Sequence, residues 1–259
     1  MNDPAPPPPL LSMQGISRHF GAIKALTDVD FEVHAREVVG LVGDNAAGKS
    51  TLAKIIAGAL EPSSGVIRID GVEVAIPSPS AAHQHGIATV FQDFAVCENL
   101  DVTANIFLGR ELQRHGGLRE GEMELAARAA LQDLQIRVPS IKSLLRDLSA
   151  GQRQSIAIAR TLIGKPRLVV LDEPTASLGV SQTAEVLTHI ERLRDLGFGV
   201  VFISHNLSDV RAIADRIEVL RHGRNNGSFT GADATYSDLI AAITGAPGYS
   251  PSRPAAPPA

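Results

Sequence analysis

Apolar positions along the chain fall into short continuous runs separated by stretches of helical spacing. Val38-Val39-Gly40-Leu41-Val42 is an apolar run of strand length, and Leu168-Val169-Val170-Leu171 is another. After the first run and a glycine-rich loop, Leu52, Ile55, Ile56 and Ala59 recur at i, i+3, i+4, i+7 and predict a helix over 52–60. Pro62 and the turn Ser63-Ser64-Gly65 close it. Residues 10–31 predict short strands with turns. Residues 66–69 and 72–76 flank Asp70-Gly71, a hairpin signal. A short strand follows at 87–91. Residues 102–145 predict a helical stretch, clearest over 122–134, where Ala, Leu, Glu and Arg dominate. A helix over 152–163 is stopped by Gly164 and Pro166. Beyond the run at 168–171, a helix (182–196), a strand (200–203), a helix (207–214) and a strand (217–220) alternate. That alternation predicts an α/β fold with a mostly parallel sheet covered on both faces. The helical stretch between its two parts predicts a second lobe.

Composition narrows the setting. The chain has 259 residues, 44% of them hydrophobic and 20% charged, enough for a sizeable core. A formal net charge of −4 argues against a broad nucleic-acid surface. No apolar run approaches the roughly 18 residues that span a bilayer. Proline-rich residues 1–9 lack the pattern of a signal peptide and read, like 246–259, as a disordered tail. The single cysteine, Cys97, leaves no intrachain disulfide or cysteine zinc site. These features predict a soluble cytoplasmic protein that meets a membrane only through a partner.

Candidate chemistry begins in the loop after the first apolar run: Gly43-Asp44-Asn45-Ala46-Ala47-Gly48-Lys49-Ser50-Thr51. Strand, tight glycine loop and helix form the setting of a phosphate-binding P-loop. Glycines let backbone N–H groups approach an anion, and the helix start favours negative charge. Lys49 can reach β- and γ-phosphates, and the Ser50 hydroxyl can ligate Mg²⁺. Asp172 and Glu173 end the second apolar run, at the strand end where ligands of such sheets bind. Asp172 would hold Mg²⁺, directly or through water, and Glu173 would polarise an attacking water. Gln92 and His205 each follow a strand. The amide could orient a water or reach the metal, and the imidazole could bond a γ-phosphate; taken alone, a surface glutamine and a structural histidine are the commoner readings. Leu148-Ser149-Ala150-Gly151-Gln152 opens a helix with Ser149 as its cap. A second anion-binding helix start makes sense if it faces the nucleotide of another copy.

This ordered set resembles the nucleotide-binding subunit of ATP-binding cassette (ABC) transporters over about residues 10–245. The wording around Phe91-Gln92-Asp93-Phe94, Asn99-Leu100-Asp101-Val102 and 105–111 is similar to that of bacterial importers of ribose, xylose and fructose. The resemblance implies a cassette with a mostly parallel core sheet, an antiparallel β subdomain and a helical subdomain inserted at about 93–150. It implies ATP and Mg²⁺ as cofactors and two copies paired head to tail. Each ATP would lie between the P-loop of one copy and Ser149, Ala150, Gly151 and Gln152 of the other. Phe20 would stack on adenine, Gln92 would link the nucleotide to the membrane subunit, Glu173 would activate water, and His205 would contact the γ-phosphate. Implied partners are permease subunits at the cytoplasmic face of the membrane and, indirectly, an external sugar-binding protein. With one cassette in the chain, a homodimer is expected.

Three positions depart from the family pattern. Ala46 stands in place of a P-loop glycine, Ala150 in place of the first glycine of the signature, and Gly179 in place of an aspartate after the carboxylate strand. If position 46 needs a positive φ, alanine costs roughly 1–2 kcal/mol there. Slower but real hydrolysis is expected. Two other functions compete with sugar import: a soluble cassette ATPase acting on DNA or ribosomes, and a regulator that binds ATP without hydrolysing it. The first usually brings basic patches, a coiled-coil insert or a second cassette, none of which is visible. A P-loop kinase or GTPase would have no use for residues 148–152.

Overall fold

The computed structural model describes residues 8–91, 96–231, 233–246 and 249. The chain opens with two long antiparallel strands, β1 (Leu11–Phe20) and β2 (Ile23–Val33), followed by β3 (Val38–Val42) and helix α1 (Lys49–Ile56). Next come β4 (Ser64–Ile69), β5 (Val72–Glu73), α2 (Pro79–Gln84) and β6 (Ile87–Val90). The middle of the chain holds α3 (Val102–Ile106), a small ribbon of β7 (Gln113–Arg114) and β8 (Gly117–Leu118), and α4 (Glu120–Asp133). A 3-10 turn (Leu145–Asp147) leads into α5 (Ala150–Thr161). The remainder is β9 (Leu168–Asp172), α6 (Val180–Asp195), β10 (Gly199–Ile203), α7 (Leu207–Ile213), β11 (Arg216–Arg221), β12 (Arg224–Thr230) and α8 (Tyr236–Thr244).

Two sheets carry the architecture. Six strands in the order β12-β11-β3-β10-β9-β6 form the central sheet, parallel except for β12. The order β2-β1-β4-β5 forms an antiparallel sheet. Every residue of β3, β9 and β10 is buried, as a parallel sheet covered on both faces requires. Because side chains alternate along a strand, one face sends Val38, Val42, Val169, Leu171, Val200 and Phe202 into the core beneath α3 to α7. The other sends Val39, Leu41, Val170, Val201 and Ile203 to α1 and the antiparallel sheet. Helix α1 contributes Leu52, Ala53, Ile55 and Ile56 to that second core. Gly40 leaves room for α7: a Cβ there would lie 2.4 Å from Val210 Cγ1.

The α/β fold, the parallel sheet and the antiparallel sheet agree with expectation; several boundaries do not. Residues 10–31 are two long paired strands rather than short ones. Register shifts in β1 between Met13 and Ile16 and on to Arg18 break the simple alternation that would have shown their length. Helix α1 starts at Lys49, not Leu52, with Gly48 (φ +105) as its N-cap. It ends at Ile56, with Gly58 left-handed just beyond the C-cap. The stretch 102–145 is less helical than its composition suggests. Positive φ at Gly109, His115 and Gly116 turns the chain into the β7–β8 ribbon. Helices α2 and α8 and strand β12 have no counterpart in the apolar pattern. The hairpin at Asp70-Gly71 is present, with both residues left-handed, as a two-residue turn of this hand demands. Among the described residues no helix is long and apolar enough to cross a membrane.

Candidate functional site

Strand β10 lies between β3 and β9 in the central sheet. Its position decides the layout of the site. The P-loop leaves the carboxyl end of β3, the two acids leave the end of β9, and His205 follows the end of β10 between them. The loop wraps tightly against β11: a Cβ on Gly43 would lie 2.2 Å from the Leu220 carbonyl. Gly48 is pinned on its other side, where a Cβ would meet Leu26 Cδ2 at 2.6 Å and the Ala25 carbonyl at 2.9 Å. Inside the loop the Asn45 N–H donates to Asp44 Oδ1 (2.7 Å), and the Ala47 N–H to the Asp44 carbonyl (3.1 Å). The first-turn N–H groups of α1, from Lys49, Ser50 and Thr51, have no intrahelical acceptor and no capping side chain.

Lys49 folds back over its own loop. Its Nζ donates to the Gly43 carbonyl at 2.7 Å and the Asp44 carbonyl at 3.1 Å. Only 9% of the residue is exposed. Burial lowers its pKa, while the charges of Glu173, Asp172 and Asp44 pull the other way. Asp172 is likewise buried, and its Oδ1 has no hydrogen-bond partner. Burial raises its pKa, neighbouring Glu173 adds to the rise, and Lys49 and Lys54 oppose it. A buried carboxylate oxygen without a donor is costly unless something is bound to it. A cation at that oxygen and an anion in the loop would satisfy both groups at once, so these residues fit a metal–nucleotide ligand.

Glu173 adopts a left-handed φ of +54°, a strained conformation for a residue with a side chain. Its N–H donates to the Ile203 carbonyl at 2.9 Å, tying the turn to β10. Its Oε2 lies 2.7 Å from His205 Nδ1, with Glu173 nearly covered and the imidazole largely exposed. Two residues that lie 32 positions apart are thus one unit. Behind them, Thr175 Oγ1 donates to Asp209 Oδ2 (2.8 Å) and Asn206 Nδ2 to Asp209 Oδ1 (3.0 Å), bracing the turn after β9 against α7. This brace was not foreseen. Asn206 followed three residues later by Asp209, just ahead of a helix, was its one sequence signal. Also unforeseen is the wall supplied by α8. A cleft of about 350 Å³ is lined by Gly43, Asp44, Asn45, His205 and Leu207 together with Ile240, Ile243 and Thr244 of that helix.

The remaining candidates fall into three groups. Phe20, 44% exposed, ends β1 beneath the Arg18 guanidinium (4.8 Å). The hairpin it belongs to runs into Ala25 and Leu26, which touch the P-loop. Ser149, Ala150, Gly151 and Gln152 sit at the start of α5 and are not among the residues that line the P-loop cleft. Ser149 Oγ accepts from the Gln152 N–H (3.2 Å), and Gln152 Oε1 accepts from the Ser149 N–H (3.1 Å), a complete capping box. Ala150 is exposed, and Gly151 packs against α6, where a Cβ would lie 3.0 Å from Gln182 Cβ. The glycine needed for packing is therefore the one retained. Gln92 lies outside the described residues. Ala46 does take a positive φ, +63°, so the alanine is strained. Gly179 is the extended N-cap of α6, without a capping side chain.

The chain is similar to known proteins over most of its length. The family described as ABC transporter matches residues 26–176. The fructose import ATP-binding protein of Rhizobium meliloti is 39% identical over 92% of this chain and 95% of its own. A xylose/arabinose import ATP-binding protein of Sulfolobus acidocaldarius is 41% identical over 83% of this chain and 86% of its own. A ribose import ATP-binding protein of Rubrobacter xylanophilus is 43% identical over 92% of this chain, which spans only 47% of that relative. Among solved structures, an ATP-binding cassette in its ADP conformation superposes with a TM-score of 0.79 at 24% identity, covering 90% of this chain and 95% of its own. A dimeric post-hydrolysis cassette bound to ADP and Pi gives 0.71 at 23%, covering 86% and 100%.

Two outcomes follow from the strain and burial of the site. Ala46→Gly removes a left-handed alanine at the cost of some unfolded-chain entropy; the net gain is on the order of 1 kcal/mol, read as a higher urea midpoint. A lower midpoint contradicts the strain. For Asp172, a pKa raised on folding means stability that is full at low pH and lost as pH rises through the folded value. Asp172→Asn should therefore raise the urea midpoint of the ligand-free protein at pH 7, with the difference shrinking toward about pH 4. A difference independent of pH excludes a titrating Asp172 as its source.

Proposed function

Because this chain belongs to the ABC transporter family, we propose that it is the ATP-binding and ATP-hydrolysing subunit of an importer that energises monosaccharide uptake. The observation that carries the reading is the convergence at three adjacent strand ends of a phosphate loop, a buried carboxylate oxygen with no partner, and the Glu173–His205 pair. In this reading Gly43 to Thr51 cradle the phosphates, and Lys49 exchanges its two loop carbonyls for β- and γ-phosphate oxygens. The Ser50 hydroxyl and the Asp172 carboxylate are the donors for Mg²⁺, joined by Gln92. When bound, the metal offsets charge on the phosphate oxygens. Glu173 polarises the attacking water and takes up its proton. The contact of Nδ1 with the Glu173 carboxylate (2.7 Å) holds the His205 ring in place, and the other ring nitrogen, when it carries a proton, donates to a γ-phosphate oxygen. Phe20 stacks on adenine.

The start of α5 lies outside the P-loop cleft, which supports its use in trans: Ser149, Ala150, Gly151 and Gln152 close the site of a second copy in a head-to-tail homodimer. This chain spans 47% of the ribose relative. Residues 10–245 form the cassette, with the helical subdomain at about 93–150 and tails at 1–9 and 246–259. Residues just after Gln92, with the helical lobe, dock permease subunits at the cytoplasmic face of the membrane. An external sugar-binding protein delivers the substrate. The names of the fructose, ribose and xylose/arabinose relatives support a monosaccharide as cargo.

The test is recovery of the tagged chain from its native membranes in mild detergent, then reconstitution of whatever accompanies it. The expected result is a polytopic permease whose complex hydrolyses ATP faster when a cognate sugar and binding protein are added. Recovery of ribosomal or DNA-associated proteins with no membrane partner overturns the importer reading. A permease complex that binds ATP but releases no phosphate makes the chain a regulator.

A further inference from the structure

A second polar cavity, of about 360 Å³, lies at the amino ends of β6 and β9, the opposite end of the central sheet from the nucleotide site. Its walls come from three connections: the β4–β5 turn with Asp70, the end of α2 with His83 and His85, and the α5–β9 turn with Gly164, Lys165 and Arg167. The Arg167 and Gly86 backbones join the last two, since the Arg167 and Leu168 N–H groups both donate to the Gly86 carbonyl (2.7 and 3.1 Å). The one acid of the cavity is already matched. Arg167 grips Asp70 through both terminal nitrogens, the Nη2–Oδ1 bond measuring 2.7 Å. What is left over is basic. Lys165 forms no ion pair among the described residues, and two imidazoles stand beside it. Arg110 lies close by, its Nη1 donating to the Ile163 carbonyl at 2.7 Å.

The turn is shaped for this arrangement. Gly164 (φ +100°) brings its backbone onto the His83 ring, where a Cβ would lie 2.6 Å from Nε2 and 3.7 Å from Arg110 Nη1. Lys165 follows in a left-handed conformation of its own (φ +53°), one that penalises a residue with a Cβ. Burial first, and then the Arg110 charge, lower the pKa of His83, while a bond to the Ile163 backbone opposes them. A cavity whose one acid is already paired with Arg167 and whose remaining charge is the unpaired Lys165 ammonium suits an anion. We propose that this cavity is a second anion site, taking a phosphate-type oxyanion, with space beyond the anion for the organic part of a phosphate monoester.

The test follows the ring signals of the eight histidines by NMR in the full-length chain, with His83 and His85 assigned through His83→Gln and His85→Gln. A non-hydrolysable ATP analogue is present throughout to fill the P-loop and the γ-phosphate position, and His205 serves as the control on that site. Inorganic phosphate and glucose 6-phosphate are added in separate titrations. The expected result is a saturable shift of His83 and His85 with at least one probe, none at His205, and binding at least about tenfold weaker in Lys165→Gln. A tighter response to the sugar phosphate identifies an ester, and an equal one the free anion. Lys165 is exposed, so its substitution leaves the fold intact. No shift at His83 and His85 with either probe up to about 20 mM, or a shift undiminished in Lys165→Gln, overturns the proposal.

Discussion

Lys49 and Asp172 are held out of water at the edge of a sheet that is buried on both faces, and neither is satisfied by the fold alone. Lys49 borrows two carbonyls of its own loop. Asp172 Oδ1 has nothing. Burial pushes both groups toward their neutral forms, an arrangement that stability alone would select against. A ligand that brings phosphate to the lysine and a cation to the carboxylate relieves both at once. The rest of the structure holds this unsatisfied pair in place.

That holding begins with the alternation of side chains along β3, β9 and β10. Because each strand feeds two cores, the strands cannot slide or tilt without exposing apolar surface on one face. Their carboxyl ends are therefore fixed relative to one another, and so are the groups that leave them. The Glu173 turn adds a bond to Ile203, and the Thr175–Asp209–Asn206 brace ties the same turn to α7. The strained φ values of Ala46 and Glu173 sit inside this frame, which is rigid enough to bear them.

Much of this was legible in the sequence because strong local signals agreed. The apolar runs at 38–42 and 168–171 marked the central strands, and the glycines and Lys49 between strand and helix marked the phosphate loop. The acids of β9 were readable from their place at a strand end. Less was legible where a local pattern was overridden. Bulges hid the length of β1, and positive φ at Gly109 and Gly116 broke a stretch whose composition favours helix. The Glu173–His205 bond joins residues 32 apart, and no local pattern announces it. The α8 wall and the basic cavity at the far end of the sheet are also products of long-range packing. The departures divide by environment: Ala150 is exposed and Gly179 open, so neither strains the fold, whereas Ala46 carries a backbone penalty.

The measurement that bears most directly on the central claim is phosphate release from MgATP by the purified chain, compared with Glu173→Gln under the same conditions. The account predicts measurable turnover in the natural chain and a loss of about a hundredfold or more in the variant, with ATP binding retained because Glu173 is not asked to hold the nucleotide. Equal phosphate release by the two proteins would contradict it.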